Sequence, residues 1–260
     1  MPDENTAQNR NLASTFAKGL AVLEAFDGLS PSLTLAEIAR ATGQDRAAAR
    51  RGALTLLDMG YLRQDDRHFS LTPKVLSIAG GFLQARGFGR LVQPVLNRHA
   101  VTLDTEISLA TRDSSAVMLL AQSTVTDGLV SQGFTAGSRL PLLHTSLGRM
   151  LLAGAPDEVA ARIISQSGIP RPTDHALTTA DEILTRIRAA RRDGYTVTDS
   201  EFEPGIIGLA VPVTGPGAMP VVLGSSLPRG RDGVLAPDPI LKGLQRCAAE
   251  LRQTGVLDRL

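Results

Sequence analysis

Between Leu33 and Leu71 the chain carries a pattern with few ways to fold. It reads Leu33-Thr-Leu-Ala-Glu-Ile-Ala-Arg-Ala-Thr-Gly43, then Gln44-Asp-Arg-Ala-Ala-Ala-Arg-Arg-Gly-Ala-Leu-Thr-Leu-Leu57, then Asp58-Met-Gly-Tyr-Leu62 and a polar stretch returning to Phe69-Ser-Leu71. Thr34 followed three residues later by Glu37 fits a capping box, in which hydroxyl and carboxylate satisfy the free N–H groups of a helix start. Leu35, Ile38 and Ala39 then recur at helical spacing. Gly43 stands where a left-handed residue closes that helix, and Asp45 is placed to cap the next one.

In the second helix Ala49, Ala53, Leu56 and Leu57 can face inward while Arg46, Arg50 and Arg51 project elsewhere, with Ala47 and Ala48 leaving room for close approach. Tyr61-Leu62-Arg63 and His68-Phe69-Ser70-Leu71 are short β-prone runs around Gln64-Asp65-Asp66-Arg67, the pattern of a hairpin wing. Helix, turn, helix and wing together read as a device for double-stranded DNA. Arginine can bond a guanine edge bidentately or neutralise phosphate. The expected DNA-binding set is therefore Arg46, Ala47, Arg50, Arg51 and Thr55 on the helix, with Arg63, Arg67 and His68 on the wing touching backbone or minor groove. A capped helix pair alone is common in helical proteins, so the wing and the three helix arginines carry this reading. Gly52 stands beside Arg51 where a larger residue is expected, and the sequence supplies no reason for it.

The 260 residues suffice for two domains, and the 43% apolar content predicts globular cores. With no Trp and only 3% aromatic residues, single-strand binding by base stacking is disfavoured. The net charge of +1 excludes a protein that coats nucleic acid non-specifically and leaves room for a local patch. That patch is modest: Arg46, Arg50, Arg51, Arg63, Arg67 and Lys74 against Asp58, Asp65 and Asp66.

Cys247 is the only cysteine, so no intrachain disulfide can form. It is expected to be a small buried core residue in a reduced, cytoplasmic protein. His68, His99, His144 and His175 show no ligand spacing with it, so no metal and no cofactor are expected. The polar start lacks the apolar core of a signal peptide, and no run approaches ~18 apolar residues, so no membrane association is expected. Residues 1–14 are expected to form a disordered tail.

Helix signals recur at Phe16 to Phe26, whose packing face is Leu20, Val22, Leu23 and Phe26, and from Pro73 through Leu83. Gly87 and Gly89 mark a hinge, and a helix from Leu91 to Leu103 tolerates Pro94 only in its first turn. Thr105 to Thr111 and Ala116 to Gln122 predict a hairpin turning at 112–115, and Leu129 to Phe134 a weaker strand. Helices are expected at Ser146 to Ala153, Asp157 to Ser167, and from Thr178 or Thr179 to Arg192. Strands at Tyr195 to Thr198, Ile206 to Val213 and Met219 to Ser226 follow, the last two joined by a turn at Thr214-Gly-Pro-Gly217, before a closing helix from Pro237 to Thr254. The fold class is α+β, one antiparallel sheet with helices packed on it. Such a sheet can enclose a ligand, and the small polar residues among apolar ones at Leu140 to Leu147 and in the Ile206 to Ser226 hairpin suit a cavity wall.

Several stretches together resemble the IclR-type transcription regulators, over essentially Phe16 to Leu251. Phe16-Ala-Lys-Gly-Leu-Ala-Val-Leu-Glu-Ala-Phe26, Leu33 to Gly43 with Arg46-Ala-Ala-Ala-Arg-Arg51, and Leu71-Thr-Pro-Lys-Val-Leu76 are similar to the aromatic-acid branch in particular, which serves protocatechuate, hydroxybenzoate and the β-ketoadipate pathway. The second half adds Arg139-Leu-Pro-Leu-Leu-His-Thr-Ser-Leu-Gly-Arg149, Leu151-Leu-Ala153, Arg192-Asp-Gly-Tyr195, Glu203-Pro-Gly205 and Leu209-Ala-Val-Pro212. The resemblance implies a winged helix-turn-helix domain at 15–73, a linker helix and hinge at 74–90, and a GAF-like effector-binding and oligomerisation domain at 91–260. It implies homodimers that often pair into homotetramers, a double-stranded operator, and a small-molecule effector, an aromatic acid or ring-cleavage metabolite. Carried over position by position, the effector pocket falls at Leu140, Ser146, Leu147, Thr198, Gly208 and Ser226. The family's usual His after this Pro falls on Leu143, with His144 next, and its usual Arg-Ser falls on Ile207 and Gly208.

Two other readings compete. A regulator whose second domain only oligomerises would share every DNA-reading feature. A small-molecule hydrolase would use His144 with Ser146 or the Glu201 and Glu203 carboxylates, but the chain has no Gly-x-Ser-x-Gly elbow, Walker loop or dinucleotide fingerprint. No catalytic residue is therefore expected. Ser146 reads as a helix N-cap, and Glu201 and Glu203 as a solvated or salt-bridged strand end.

Overall fold

The computed structural model describes residues 13–28, 30–124, 134–215, 219–229 and 238–257. The chain divides into two compact units, residues 1–82 and 83–260. The expected tail lies almost wholly outside the described residues.

The first unit holds α1 (Ser14–Glu24), β1 (Leu33–Thr34), α2 (Leu35–Thr42), α3 (Arg46–Asp58), β2 (Leu62–Asp65) and β3 (His68–Leu71), followed by α4 (Val75–Ala85), which runs past the boundary. The Thr34–Glu37 capping box forms: Glu37 Oε2 accepts from the Thr34 N–H at 2.8 Å, and Thr34 Oγ1 accepts from the Glu37 N–H at 3.4 Å. Asp45 Oδ1 accepts from the Ala48 N–H at 2.8 Å, and Gly43 closes α2 with φ +63°. These bonds hold both carboxyls below the usual range, led by the Thr34 backbone N–H for Glu37 and that of Ala48 for Asp45.

Two features differ from expectation. An N-cap residue must be extended, so Leu33 and Thr34 already lie as a strand, and they pair with Phe69 and His68 to make a three-stranded sheet, β1-β3-β2. Ala48 is buried rather than facing outward, and Leu20 is 44% exposed, because Val22 and Phe26 fill the α1 contact with Ile38, Ala49, Ala53, Leu56 and Phe69. Gly52 now has a physical account. A Cβ there would stand 3.0 Å from Val22 Cγ2, with the Gly19 Cα at 3.8 Å, so glycine lets α3 approach α1.

The second unit continues from a π-helical turn, Phe88–Val92, into α5 (Gln93–Leu103), with Gly87 left-handed just before the turn. Then come β4 (Ser108–Asp113), β5 (Ala116–Gln122), β6 (Arg139–Pro141), α6 (Ser146–Ala153), α7 (Asp157–Ser167), α8 (Ala180–Asp193), β7 (Thr196–Asp199), β8 (Ile206–Pro212), β9 (Val221–Pro228) and α9 (Asp238–Gln253). β4 extends two residues further than expected, because Ser114 at φ +53° makes a tight turn. Residues 129–133 of the weak strand candidate, residues 216 and 217 of the last hairpin turn, and Pro237 lie outside the described residues, and Phe134 is not in a strand.

The six strands pair antiparallel in the order β6-β5-β4-β9-β8-β7, and both faces are covered. Leu109, Leu209, Val211 and Leu223 meet α5 and α9, where Leu96, Leu244, Cys247 and Leu251 are buried. The alternate residues Ala110, Ala210 and Val222 meet α6, α7 and α8 through Leu147, Leu151, Ile164 and Ile187. Strand period two thus sorts neighbours into two cores. Burial pushes the Cys247 thiol up to about 12, with Glu250 adding to the rise, so it stays a protonated core group.

Replacing Gly52 by Val is expected to destabilise the first unit by about 1–3 kcal/mol through overpacking against Val22. Urea denaturation of the full chain measures it, and an unchanged transition would disprove the close-approach account.

Candidate functional site

On α3, Arg46, Ala47, Arg50, Arg51 and Thr55 are all exposed. Arg46 and Arg50, and Ala47 and Arg51, are four residues apart, so they form two adjacent rows on one helix face. None of the three arginines makes a salt bridge among the described residues, which leaves their guanidinium groups available to phosphate or a base edge. The Thr55 hydroxyl donates to the Arg51 carbonyl at 2.9 Å, so its proton is committed to the helix backbone. On the wing, Arg63 Nε donates to Ser70 Oγ at 3.0 Å across the β2–β3 pair, and exposed Arg67 sits at the tip beside left-handed Asp66. The capped turn between α2 and α3 fixes this face, since both helix ends that meet there are closed by their own side chains.

In the second unit Leu140, Ser146, Leu147, Thr198, Gly208 and Ser226 surround one cavity of about 60 Å³. It has room for roughly four to six water-sized groups, the scale of one small substituted molecule. β8 places Gly208 between Thr198 on β7 and Ser226 on β9. A Cβ at Gly208 would come 2.7 Å from Thr198 Oγ1 and 2.8 Å from Ser146 Oγ, so only glycine leaves these hydroxyls where they are. Ile207, where the family's arginine falls, points to the other face of the sheet and is buried with Leu209 against α9. A side chain at that position does not face the cavity, so the change from arginine does not bear on it.

Three readings of single residues need correction. Ser146 is not the N-cap of α6: Thr145 holds that position, its Oγ1 accepting from the Gly148 N–H at 3.1 Å, and Ser146 turns its hydroxyl to the cavity. Glu201 is salt-bridged, one of the two alternatives expected, but it is buried and stands beyond the strand end. It lies in the loop between β7 and β8, 9% exposed, where the Arg149 guanidinium binds it through both terminal nitrogens, one at 2.9 Å to Oε1. Glu203, in the same loop, lines the cavity instead, and burial pushes its carboxyl up.

Arg149 side-chain exposure is 1%, and its Nη2 also donates to the Leu143 carbonyl at 3.3 Å. This pair ties α6 to the loop that carries Phe202 and Glu203. Gly148 permits the α6 start to lie on the preceding chain, since a Cβ there would be 2.0 Å from the Leu142 carbonyl oxygen.

Glu106, Ser108 and Phe202 are among the lining residues that lie outside the stretches read as cavity wall, whereas His144 lies inside one of them. Glu106, just before β4, accepts from Gln122 Nε2, and burial raises its carboxyl. His144 has no exposed surface, and neither ring nitrogen completes a hydrogen bond among the described residues. Burial holds it below the usual histidine range, against the nearby Glu201 carboxylate and Pro170 carbonyl, which favour the charged form. Glu106 had a signal in the alternation that puts it on the face of Ser108. For His144 the signal was its place in the Leu140 to Leu147 stretch, where small polar residues stand among apolar ones.

A winged helix with an exposed arginine face, joined to a three-layer unit with a small polar-walled cavity, defines the class of ligand-responsive DNA-binding regulators. The comparisons agree. The helix-turn-helix domain model of IclR regulators matches residues 15–66, and that of the bacterial IclR C-terminal domain matches residues 82–250. The Pca regulon regulatory protein of Pseudomonas putida is 33% identical over 77% of this chain and 69% of its own length. The p-hydroxybenzoate hydroxylase transcriptional activator of Acinetobacter baylyi is 35% identical over 76% of this chain and 74% of its own. A crystal structure of an IclR homologue from Microbacterium hydrocarbonoxydans, complexed with 4-hydroxybenzoate, shares the fold at TM-score 0.74 and 22% identity, covering 95% of this chain and all of that one. The chain belongs to the IclR family of bacterial transcription regulators. It is a DNA-binding regulator with an effector-binding domain, and its relatives are regulators rather than enzymes.

Replacing Arg149 by Leu leaves a buried carboxylate without its partner and is expected to cost about 3–5 kcal/mol. Replacing Arg149 and Glu201 both by Leu should cost less than the single change, and equal losses in denaturant titrations would show the pair to be uncoupled.

Proposed function

We propose that this regulator binds its operator through Arg46, Ala47, Arg50, Arg51 and Thr55 of α3 with Arg63 and Arg67 of the wing. A small-molecule effector held by Leu140, Ser146, Leu147, Thr198, Gly208 and Ser226 controls that binding. The effector is an aromatic acid or a ring-cleavage metabolite, as the names of the relatives and the 4-hydroxybenzoate in the homologous crystal structure suggest. The observation that carries the reading is the meeting of those six residues, drawn from five separate segments, around one cavity. Residues 15–73 act as the reader, 74–90 as linker, and 91–260 as the effector and oligomerisation domain, in the cytoplasm. No helix among the described residues is long and apolar enough to cross a membrane.

The chain works as a homodimer or homotetramer. Phe16 on α1 is 68% exposed, and Leu76 and Ile78 on α4 are 67% and 61% exposed, apolar side chains of the kind that pairing covers. Two-fold pairing predicts half-sites about one helical turn apart, ~34 Å, or multiples of it.

The test is a mobility-shift titration against the chain's own upstream DNA, with and without aromatic acids. Arg50→Ala is expected to weaken operator binding by ~1–3 kcal/mol if Arg50 reads a base, and to weaken all duplexes alike while lowering the salt slope by about one if it contacts phosphate. Unchanged binding would remove Arg50 from the interface. Absence of binding to any such duplex at low salt would defeat the operator reading, and a ligand that raises the melting temperature would separate an effector domain from one that only oligomerises.

A further inference from the structure

The second unit has another concavity, an open groove of about 760 Å³ at the other end of the sheet. It shares α6, β8 and β9 with the small cavity, but no lining residue. On the paired strands Gly208 and Ser226 flank the cavity, whereas Pro212 and Val222, four residues along each strand, line the groove. At about 3.3 Å per residue the two places stand about 13 Å apart. On α6, Ser146 and Leu147 face the cavity, and Met150 and Ala153 the groove. The groove therefore offers room that a cavity of about 60 Å³ does not.

Its walls are largely apolar, built from Met150, Ala153, Pro156, Pro212, Val221 and Val222. Its charge is of one sign, since Arg191 and Arg252 line it and, among its described lining residues, no carboxylate does. The two cations are held differently. Arg191 is committed, donating through Nε to the Ala153 carbonyl at 2.8 Å and through Nη1 to Asp157 at 2.6 Å, with Nη2 on the Ala155 carbonyl. Exposed Arg252, in the last turn of α9, is steered by one bond from Nη1 to the Val213 carbonyl at 3.1 Å and makes no salt bridge among the described residues. That position offsets the helix dipole, which accounts for a cation there. It does not account for an apolar groove beside an unneutralised guanidinium.

We propose that this groove is a second ligand site, for an amphipathic organic monoanion too large for the small cavity, its carboxylate on Arg252 and its apolar body along Met150, Ala153, Pro156 and Val222. Charge complementarity selects the anion: a cation would meet like charge from Arg252, and a neutral ligand would partly desolvate the guanidinium without pairing it. A guanidinium takes a carboxylate through two parallel N–H bonds, and Arg252 Nε and Nη2 have no other bond among the described residues. The apolar walls supply area, and one polar anchor fixes orientation, the usual division of labour in a ligand pocket of this volume. An alkyl acid and a two-ring aryl acid share this chemistry. The proposal does not depend on what the small cavity binds.

Isothermal titration of the full chain with decanoate and biphenyl-4-carboxylate, each beside its uncharged amide, tests this. At least one acid is expected to bind, and the tighter of the two tells an alkyl ligand from an aryl one. The acid should bind about ten-fold tighter than its amide, the scale of a hydrogen bond between charged groups. Arg252→Gln should weaken the acid by about ten-fold yet change the amide by less than about three-fold, which a general loss of folding would not do. Binding of neither acid overturns the proposal, as does acid binding that Arg252→Gln leaves unchanged or lowers no more than that of the amide. If neither acid binds and Arg252→Gln instead shifts the assembly state in sedimentation velocity, the groove is a contact with a second copy of the chain, and the proposal falls. Each of these failures leaves the effector reading of the small cavity standing, because the two sites share no residue.

Discussion

The second unit depends on one buried interaction, the Arg149–Glu201 pair. Removing two charges from water is costly, and only bidentate contact with further hydrogen bonding offsets it. Here the guanidinium spans both carboxylate oxygens and reaches the Leu143 carbonyl as well. The loop on the other side is held just as firmly. Thr173 Oγ1 donates to the Ser200 carbonyl at 2.6 Å, and Ser200, left-handed at φ +58°, accepts from the Gly205 N–H through its own Oγ at 3.1 Å. The α6 start and the 200–205 loop are therefore one clamped assembly that shares a cavity wall.

A sheet buried on both faces sets the second constraint. When neighbouring residues enter different cores, a shift of one position reverses what a side chain can touch. Ile207 and Gly208 illustrate the consequence: one packs under α9, while the other opens space between two hydroxyls. A departure from the family pattern is thus informative about ligand chemistry only at positions of one parity. Gly208 is such a position and Ile207 is not.

What was legible in the sequence follows the range of the interactions involved. The Thr34–Glu37 capping box, the left-handed glycine after α2, and the bounds of α6 and α7 depend on residues three or four apart, and the chain states them directly. The local pattern marked the stretches that hold Leu140, Ser146, Leu147, Gly208 and Ser226, but the choice of those positions, and Thr198 altogether, came from the family resemblance. Glu106 escaped because its surroundings come from the pairing of distant strands. Ser146 was misread for a smaller reason: Thr145 and Ser146 are both good caps, and only the helix register chooses between them. β1 and the buried Ala48 were likewise set by the packing of β3 and α1, which no window within α2 or α3 contains.

The first unit offers a modest reading surface, three arginines on α3 that make no salt bridge among the described residues, with an acidic wing tip beside Arg67. Phosphate neutralisation by one copy is small, so specific occupancy requires two or more copies engaged at once, which multiplies affinity without new contacts. That requirement also sets how much the cavity must deliver. A hundred-fold change in operator affinity needs about 2.7 kcal/mol of difference in effector binding between the two states. One hydrogen bond to a charged group is worth about 1.5–3 kcal/mol. A cavity of about 60 Å³ can thus supply the switch if one hydrogen bond to a charged group forms in one state and is lost in the other. The clamp at Arg149 and Glu201 makes this feasible, because a wall held in place by one state's geometry loses its contacts outright in another, where a pliant wall would follow the ligand and cancel the difference.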